Sequence, residues 1–483
     1  MLLQHSAYYL LARGLPGLVN VAALALFTRL LSPDEFGRYA LVVAGVGLAN
    51  VGVFQWLRLV VGRFLQASQD DPEGFLAGIL SLFLTLACAA TGLGLLLGLL
   101  WPDPVWQRLL LLAVPLLIAQ AWFELNLSRV QAEVNPGRYG KLLGSKSVLS
   151  LAVGGTLAWI GLGASAPMLG LLVAHIATFI LFASASWRGV SPRWPRADLL
   201  RAQLRYGLPL TVTFALAWVV SSSDRLLLGW LMDERAVGVY AAGYDLPFQG
   251  ITLMLTIINI AAYPLAVLAL EKGDVSKARE QLSQNGELVV SAALTGAVGL
   301  VVLGPHIVTL LIGEGFRAEA LRILPWVTAA SALAGIKAYH FDIAFHLGRD
   351  SRWLVVTGGI AAVMNLILNL VLIPAFGIVG AAWATLAAFS AAALASAGFG
   401  PRAFAMPPVL PMVAKACVIA SFAGSLAWAG AGLSGATWIA FGLGLFFGAG
   451  GALAGSLAVN LCGLQKAAVC QYRKWRGLPG RLG

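Results

Sequence analysis

Charge is scarce in this chain: Asp, Glu, Lys and Arg together supply 11% of its 483 residues, whereas 59% are hydrophobic. A charged fraction that small excludes an ordinary soluble domain, and the long apolar runs separated by short polar connections define a polytopic, all-α membrane protein. Cysteine is scarcer still. Cys88, Cys417, Cys462 and Cys470 show no ligand-type spacing, which speaks against a disulfide framework and against a zinc or other metal centre. No Gly-rich phosphate loop is present; the nearest stretch, GSKS from Gly144 to Ser147, lacks the preceding glycine and the Gly-Lys-Ser/Thr order, so Lys146 reads as a snorkelling residue. No H-E-x-x-H or G-x-S-x-G occurs, and no connection offers room for a soluble catalytic domain. Neither an enzyme nor a cofactor is expected. The first apolar segment is too long for a signal peptide and lacks its basic start and cleavage pattern, so it reads as a retained first helix.

What is present is a series of fourteen apolar segments, centred near residues 20, 50, 87, 118, 152, 177, 218, 250, 299, 335, 364, 388, 422 and 449. The net charge of +11 would suggest nucleic acid in a soluble protein. Sorted by connection, the basic residues say otherwise. Twenty fall on one side, including Arg188, Arg193, Arg196, Arg201 and Arg205 in one linker and Lys466, Arg473, Lys474, Arg476 and Arg481 in the tail; only Arg38, Arg108, Arg235, Arg317 and Arg322 fall on the other. The positive-inside rule then places both termini in the cytoplasm of a cell whose inner membrane holds the chain, with membrane lipid rather than nucleic acid as its surroundings.

A weak internal repeat gives the domain plan. GLPG (Gly14 to Gly17) opens the first helix and is followed by DEFGRYA (Asp34 to Ala40); GLPL (Gly207 to Leu210) opens the seventh and is followed by DERAVGVYA (Asp233 to Ala241). Two six-helix lobes, 1–187 and 206–400, follow, joined by a basic linker at 188–205 and continued by an additional helix pair at 401–464 and a basic tail at 465–483. Parallel repeats of this kind are a transporter architecture.

Charges inside apolar segments are the candidate functional residues, since each costs about 2.5 to 3.5 kcal/mol at a helix centre and is seldom kept facing lipid. Asp224 and Arg225 follow three serines in the seventh segment; being adjacent, they point ~100° apart, so that Arg225 can face a cavity while Asp224 meets another lobe or a backbone donor. Arg13 lies about two turns into the first segment and Asp245 near the middle of the eighth. The tenth carries Lys337, His340, Asp342 and His346, with Lys337 and His340 on one face and Asp342 spaced to pair with His346. Arg58, Glu124 and Lys415 lie near cytoplasmic ends and read as snorkelling or interfacial pairs, Arg29 as part of the outer rim, and Asn365 with Asn369 as interhelical hydrogen-bonding residues.

Three stretches carry a family resemblance: FTRLLSPDEFGRYALV (Phe27 to Val42), YGLPLTVTFALAWVVSSSDRLLLGWLMDERAVGVYAAGYDL (Tyr206 to Leu246) and LLIGEGFRAEALRILPWVTAA (Leu310 to Ala330). Together they resemble the polysaccharide transporters, or Wzx-type flippases, of the multidrug/oligosaccharidyl-lipid/polysaccharide (MOP) superfamily. The resemblance implies a V-shaped pair of six-helix lobes, an alternating-access cavity, and a polyprenyl-diphosphate-linked glycan as substrate, with a glycan polymerase and other envelope-assembly proteins as possible partners. It also implies that the last helix pair helps form a groove for the polyprenyl tail. A diphosphate needs cationic donors along its path, which makes Arg13, Lys337 and Arg225 an expected ladder with His340 beside it, and Asp224, Asp245 and Asp342 the sites of ion coupling or of cavity ion pairs. Two other readings stand beside this one: an ion-coupled multidrug or metabolite exporter of the same superfamily, which would usually stop at twelve helices, and a membrane enzyme or assembly subunit, which would need clustered acids or a large loop.

Overall fold

The computed structural model describes residues 2–68 and 70–464, with side chains from residue 16 onward except at 261 and 262. Arg13 belongs to the first helix, but its side chain lies outside the described residues, as does the basic tail.

Four helices begin with the same device, a short polar residue followed by proline. Ser32, Asp71, Asp103 and Asn135 precede α2 (Pro33–Phe64), α3 (Pro72–Leu100), α4 (Pro104–Ala132) and α5 (Pro136–Trp159). Each polar side chain accepts a first-turn amide, and the proline, which has no amide to satisfy, presets the helical φ. At Ser32 the cap is reciprocal, because the Glu35 carboxylate accepts the Ser32 backbone N–H at 2.9 Å. Such caps let one pass end and the next begin within a few residues.

The remaining helices are α1 (Leu2–Leu30), α6 (Ser165–Phe182), α7 (Ala197–Leu231), α8 (Glu234–Glu271), α9 (Val275–Val302), the short α10 (Gly304–Leu311), α11 (Glu314–Ile336), the single turn α12 (Ile343–Leu347), α13 (Arg352–Ala403), α14 (Val409–Ala431) and α15 (Thr437–Ala458). A π-helical turn, Lys337–Phe341, joins α11 to α12. With 52 residues, α13 would be about 78 Å long, twice what a bilayer needs; Gly377, at φ 57° and ψ −137°, breaks it into two passes in a conformation that a side chain would disfavour. Among the described residues, eleven helices are long and apolar enough to cross a membrane. Counting α13 twice and adding α1 and the α11–α12 run gives fourteen passes among the described residues, in which no strand occurs. The chain is an all-α polytopic membrane protein.

Several boundaries differ from the sequence-based expectation. GLPG and GLPL do not open their helices: Pro16 lies inside α1 and Pro209 inside α7, each more than three turns from the start. The helices continue N-terminal to the apolar runs that the sequence count was based on. For the same reason the ninth pass begins at Val275, so Lys277 and Arg279 belong to its first turns, and Arg201 and Arg205 of the basic linker lie on α7.

Two compact units divide the chain. Unit 1 holds residues Met1–Ala242, Gly313–Phe316 and Ala362–Ala384; unit 2 holds Gly243–Ile312, Arg317–Ala361 and the chain from Thr385 on. In unit 1 the two DE-containing repeats meet, where the first turns of α2 and α8 cross backbone to backbone. A Cβ on Gly37 would lie 1.7 Å from the Glu234 carbonyl oxygen, and one on Gly238 would lie 2.0 Å from that of Pro33. Gly313 joins them by donating its N–H to Thr28 Oγ1 at 3.0 Å, and Phe316 stacks edge-on against Phe36. The first two motif stretches and the Gly313–Phe316 portion of the third thus meet in unit 1.

In unit 2, α14 and α15 pack through small residues. Gly444, Gly448, Gly451 and Gly455 recur at helical spacing, and a Cβ at Gly451 would lie 2.5 Å from the Phe422 carbonyl oxygen. Lys415 of α14 pairs with Glu287 of α9 at 2.5 Å, and Glu287 also accepts the Cys462 backbone N–H at 3.0 Å. This ties the C-terminal pair to α9. Five exposed tryptophans lie at one set of helix ends, Trp101, Trp159 and Trp230 in unit 1 and Trp428 and Trp438 in unit 2, while Trp194 is exposed in the basic linker. Those ends are the ones poor in basic residues, and amphipathic indole rings suit a membrane interface there.

Candidate functional site: a polar cavity in unit 1

The side chains that interrupt the apolar pattern of α2 and α4 recur at helical spacing. Asn50 and Arg58 are two turns apart on α2, and Gln120 and Glu124 one turn apart on α4. They face one another across a cavity of about 270 Å³ that also reaches Gly47, Trp218 and Arg225. Along α2 its lining runs from Val43 to Arg58, a rise of about 22 Å at 1.5 Å per residue. A second cavity of about 500 Å³ shares Arg58 and continues to Arg63, Gln131 and Tyr206. The two polar cavities adjoin at Arg58, with Arg225 lining the first and Arg63 the second.

Hydrogen bonding around these cavities is concentrated on one acid. Glu124 Oε2 accepts from Arg58 Nη1 at 2.5 Å and from Asn50 Nδ2 at 2.7 Å, while Oε1 accepts from Gln120 Nε2 at 3.1 Å. Arg58 also donates to Gln55 Oε1 at 2.9 Å, yet its buried Nε meets no acceptor among the described residues. A guanidinium has five N–H donors, so Arg58 has donors left for a second anion. Lys146 on α5 lies within electrostatic reach of Glu124, and His175 of α6 within reach of Lys146.

Asp224 faces away from this cavity. It is 1% exposed and accepts hydrogen bonds from Tyr240 Oη and Asn369 Nδ2, both at 2.6 Å. Asn365 Oδ1 accepts from Ser223 Oγ at 3.0 Å and from Asn369 Nδ2 at 3.1 Å. Asn369 Oδ1 is buried without a donor among the described residues. One carboxylate and two amide oxygens are therefore gathered in a dry interior, an arrangement suited to a proton or a hard monovalent cation.

The other sequence-predicted residues lie in unit 2. Lys337 pairs with Asp342 across the π-helical turn at 2.6 Å, and Asp342 also accepts from Ser396 Oγ at 2.7 Å. One expectation is corrected there: Asp342 is bound to Lys337 instead of His346. His340 is buried against Gly286 and Met412. Asp245 is half-buried on the fourth turn of α8. Of the sequence-predicted site residues whose side chains are described, the unit 1 cavity contains Arg225 alone; Arg58 and Glu124, which read as residues near a helix end, are its principal charges. The signal that could have found them was the helical spacing of Asn50 with Arg58 and of Gln120 with Glu124.

Unit 2 has a cavity of another kind, about 380 Å³, enclosed by α8, α9, α10, α14 and α15 and lined by Met254, Gly296, Leu300, Ala427, Phe441 and Gly448 among other residues, none of them charged. Most of its wall is small-residue helix surface, which leaves room for a flexible hydrocarbon.

Fourteen passes, with charged side chains lining a cavity among them, define a multi-pass membrane protein. The chain belongs to the family of polysaccharide biosynthesis proteins, whose pattern matches residues 26–320. Among curated proteins it is 25% identical over 394 residues to a probable flippase, AglR, of Haloferax volcanii, covering 78% of this chain and 79% of that one. It is 29% identical over 164 residues to the amylovoran biosynthesis protein AmsL of Erwinia amylovora, covering 32% and 40% respectively. Among solved structures its fold is similar to that of the lipid II flippase MurJ in an inward closed conformation, with a TM-score of 0.74 at 13% identity over 93% of this chain and 98% of that one. An inward-facing multidrug resistance transporter of the MATE family also shares the fold, with a TM-score of 0.58 at 14% identity over 81% and 97%.

Proposed function

We propose that this flippase-like transporter moves a polyprenyl-diphosphate-linked oligosaccharide across the bacterial inner membrane by alternating access, with residues 1–187 and 206–400 as the halves that exchange exposure and both termini in the cytoplasm. The observation that supports the reading is the pair of adjoining polar cavities in unit 1, lined by Arg63 and Arg58 in one and by Arg58 and Arg225 in the other. A diphosphate has several acceptor oxygens, and arginine binds such oxygens bidentately. Contacts of this kind are worth about 1.5 to 3 kcal/mol each, enough to select the headgroup and weak enough singly to release it. The uncharged cavity bounded by α14 and α15 suits the polyprenyl chain.

Transport needs a driving force, and the acceptor-rich group around Asp224 is the seat we assign to a coupling cation. Lys337 and Asp342 act as an internal ion pair that steadies the π-helical turn. A glycan polymerase is a fitting partner on the outer side. The test is glycan export from cells carrying Arg58→Ala or Arg225→Ala. Each variant is expected to insert and accumulate normally while surface glycan falls at least tenfold; export at the unmodified level in both would refute the reading.

A further inference from the structure

Glu124 occupies the place where an anionic ligand of Arg58 would sit. Its carboxylate holds Arg58 Nη1 at 2.5 Å, and Asn50 and Gln120 orient it from α2 and α4. The pair is open to the cavity, with the Arg58 side chain 28% exposed and that of Glu124 22% exposed. A carboxylate placed there solely to neutralise a buried arginine would leave no guanidinium donor unused and would be sealed from the cavity. Here the Arg58 Nε is buried without an acceptor, and both side chains line the cavity.

We infer that Glu124 is an exchangeable counterion, an internal stand-in for the substrate's phosphate, which balances Arg58 while the cavity is empty and yields the guanidinium to the arriving headgroup. The inference rests on the proposed anion path. Its physical basis is charge balance in a medium of low dielectric. An unpaired Arg58 would be costly to keep inside the membrane, so the empty cavity needs an internal anion. When a diphosphate takes the free donors of Arg58, its negative charge repels Glu124, and Lys146, already within electrostatic reach, gives the displaced carboxylate a second partner. As the headgroup moves on toward Arg225, Glu124 returns to Arg58 and competes against backward movement. Glu124 therefore sets a balance between capture and release: it weakens binding and quickens turnover.

Farnesyl diphosphate, a soluble prenyl diphosphate, serves as the probe in binding measurements on the full chain in detergent. The expected result is that Glu124→Gln, which keeps the hydrogen-bonding shape and removes the charge, binds the probe at least tenfold more tightly than the unmodified protein, while glycan export in cells falls. A merely structural role for Glu124 would move affinity the other way, because Arg58 would lose its orientation. Glu124→Asp keeps the charge and shortens its reach; it is expected to tighten binding less, and it serves as the readout if the Gln variant does not accumulate. Unchanged or weaker binding in these variants, with Arg58→Ala still abolishing binding, overturns the inference and leaves the anion path standing. Probe binding that is absent from the unmodified protein and from the variants overturns both.

Discussion

Gly37 and Gly238 lie backbone against backbone where α2 and α8 begin, each so close to the other helix that neither tolerates a Cβ without movement of a carbonyl. The two glycines occupy corresponding places in the internal repeats DEFGRYA and DERAVGVYA, so the repeat is a matched pair of contact surfaces as well as a sequence echo.

Replacing either glycine by alanine should therefore force the helices apart. Overpacking of this kind costs about 1 to 3 kcal/mol, and the thermal midpoint of the purified protein should drop for Gly37→Ala and for Gly238→Ala. Gly45 and Gly52 of the same helix have open space where a Cβ would go. Alanine at those two positions should leave the midpoint unchanged, and an equal drop at Gly52 would show that helix composition, not the crossing, is being measured.

The Asp224 network predicts an asymmetry between two substitutions. Asn369→Ala removes a donor from a carboxylate that is 1% exposed, and a buried charged group left short of a hydrogen bond costs about 1 to 3 kcal/mol or more. Asp224→Asn removes the charge and keeps a shape that Tyr240 can still bond. Thermal unfolding should rank Asn369→Ala as the more damaging of the two for stability, whereas cation-dependent transport should be lost in Asp224→Asn.

A pH prediction follows from Cys462, which lies beyond the last pass. Burial, with the neighbouring Glu287 carboxylate adding to it, raises its thiol from 9.0 to about 11. Because the thiolate is the reactive form, a raised value means that the protonated, inert thiol persists to higher pH. At pH 8 the thiolate fraction is about a hundredfold below that of a thiol at 9.0. In a chain with the other cysteines replaced, maleimide labelling of Cys462 should be slow at pH 8, accelerate as pH approaches 11, and become faster at pH 8 in Glu287→Gln. Rapid labelling at pH 8 in the parent chain would contradict the partly buried Glu287–Cys462 contact.

How much of this was legible in the sequence depends on whether the signal is local. Proline after a capping residue, the apolar run lengths and the basic asymmetry are local, and the fourteen passes follow from them. Arg225 facing a cavity and Asp224 turned toward Asn369 could be framed from adjacency alone, since neighbours on a helix point ~100° apart. Arg58 and Glu124 could not, because distance from a helix end says nothing of what stands opposite, and their meeting joins residues 66 apart in the chain. Lys337 misled for a different reason. The π-helical turn inserts a residue into the helical count, so spacing rules drawn for 3.6 residues per turn fail there.

Orientation is checked by thiol labelling of intact cells. A cysteine at Ser165, at the start of α6, should react with an impermeant reagent, and single cysteines between Arg188 and Arg196 should be protected. Labelling in that linker from outside would reverse the topology.

The central claim is that Arg58 and Arg225 hand an anionic lipid headgroup along unit 1. Its most direct measurement uses the purified chain in liposomes loaded with a fluorescent polyprenyl-diphosphate-linked sugar, without ATP and with an imposed ion gradient, scoring how much label becomes accessible to an impermeant quencher. The unmodified protein should expose label from the inner leaflet within the assay, and Arg58→Ala and Arg225→Ala should stay near the protein-free rate. Flipping by both variants at the unmodified rate would contradict the account.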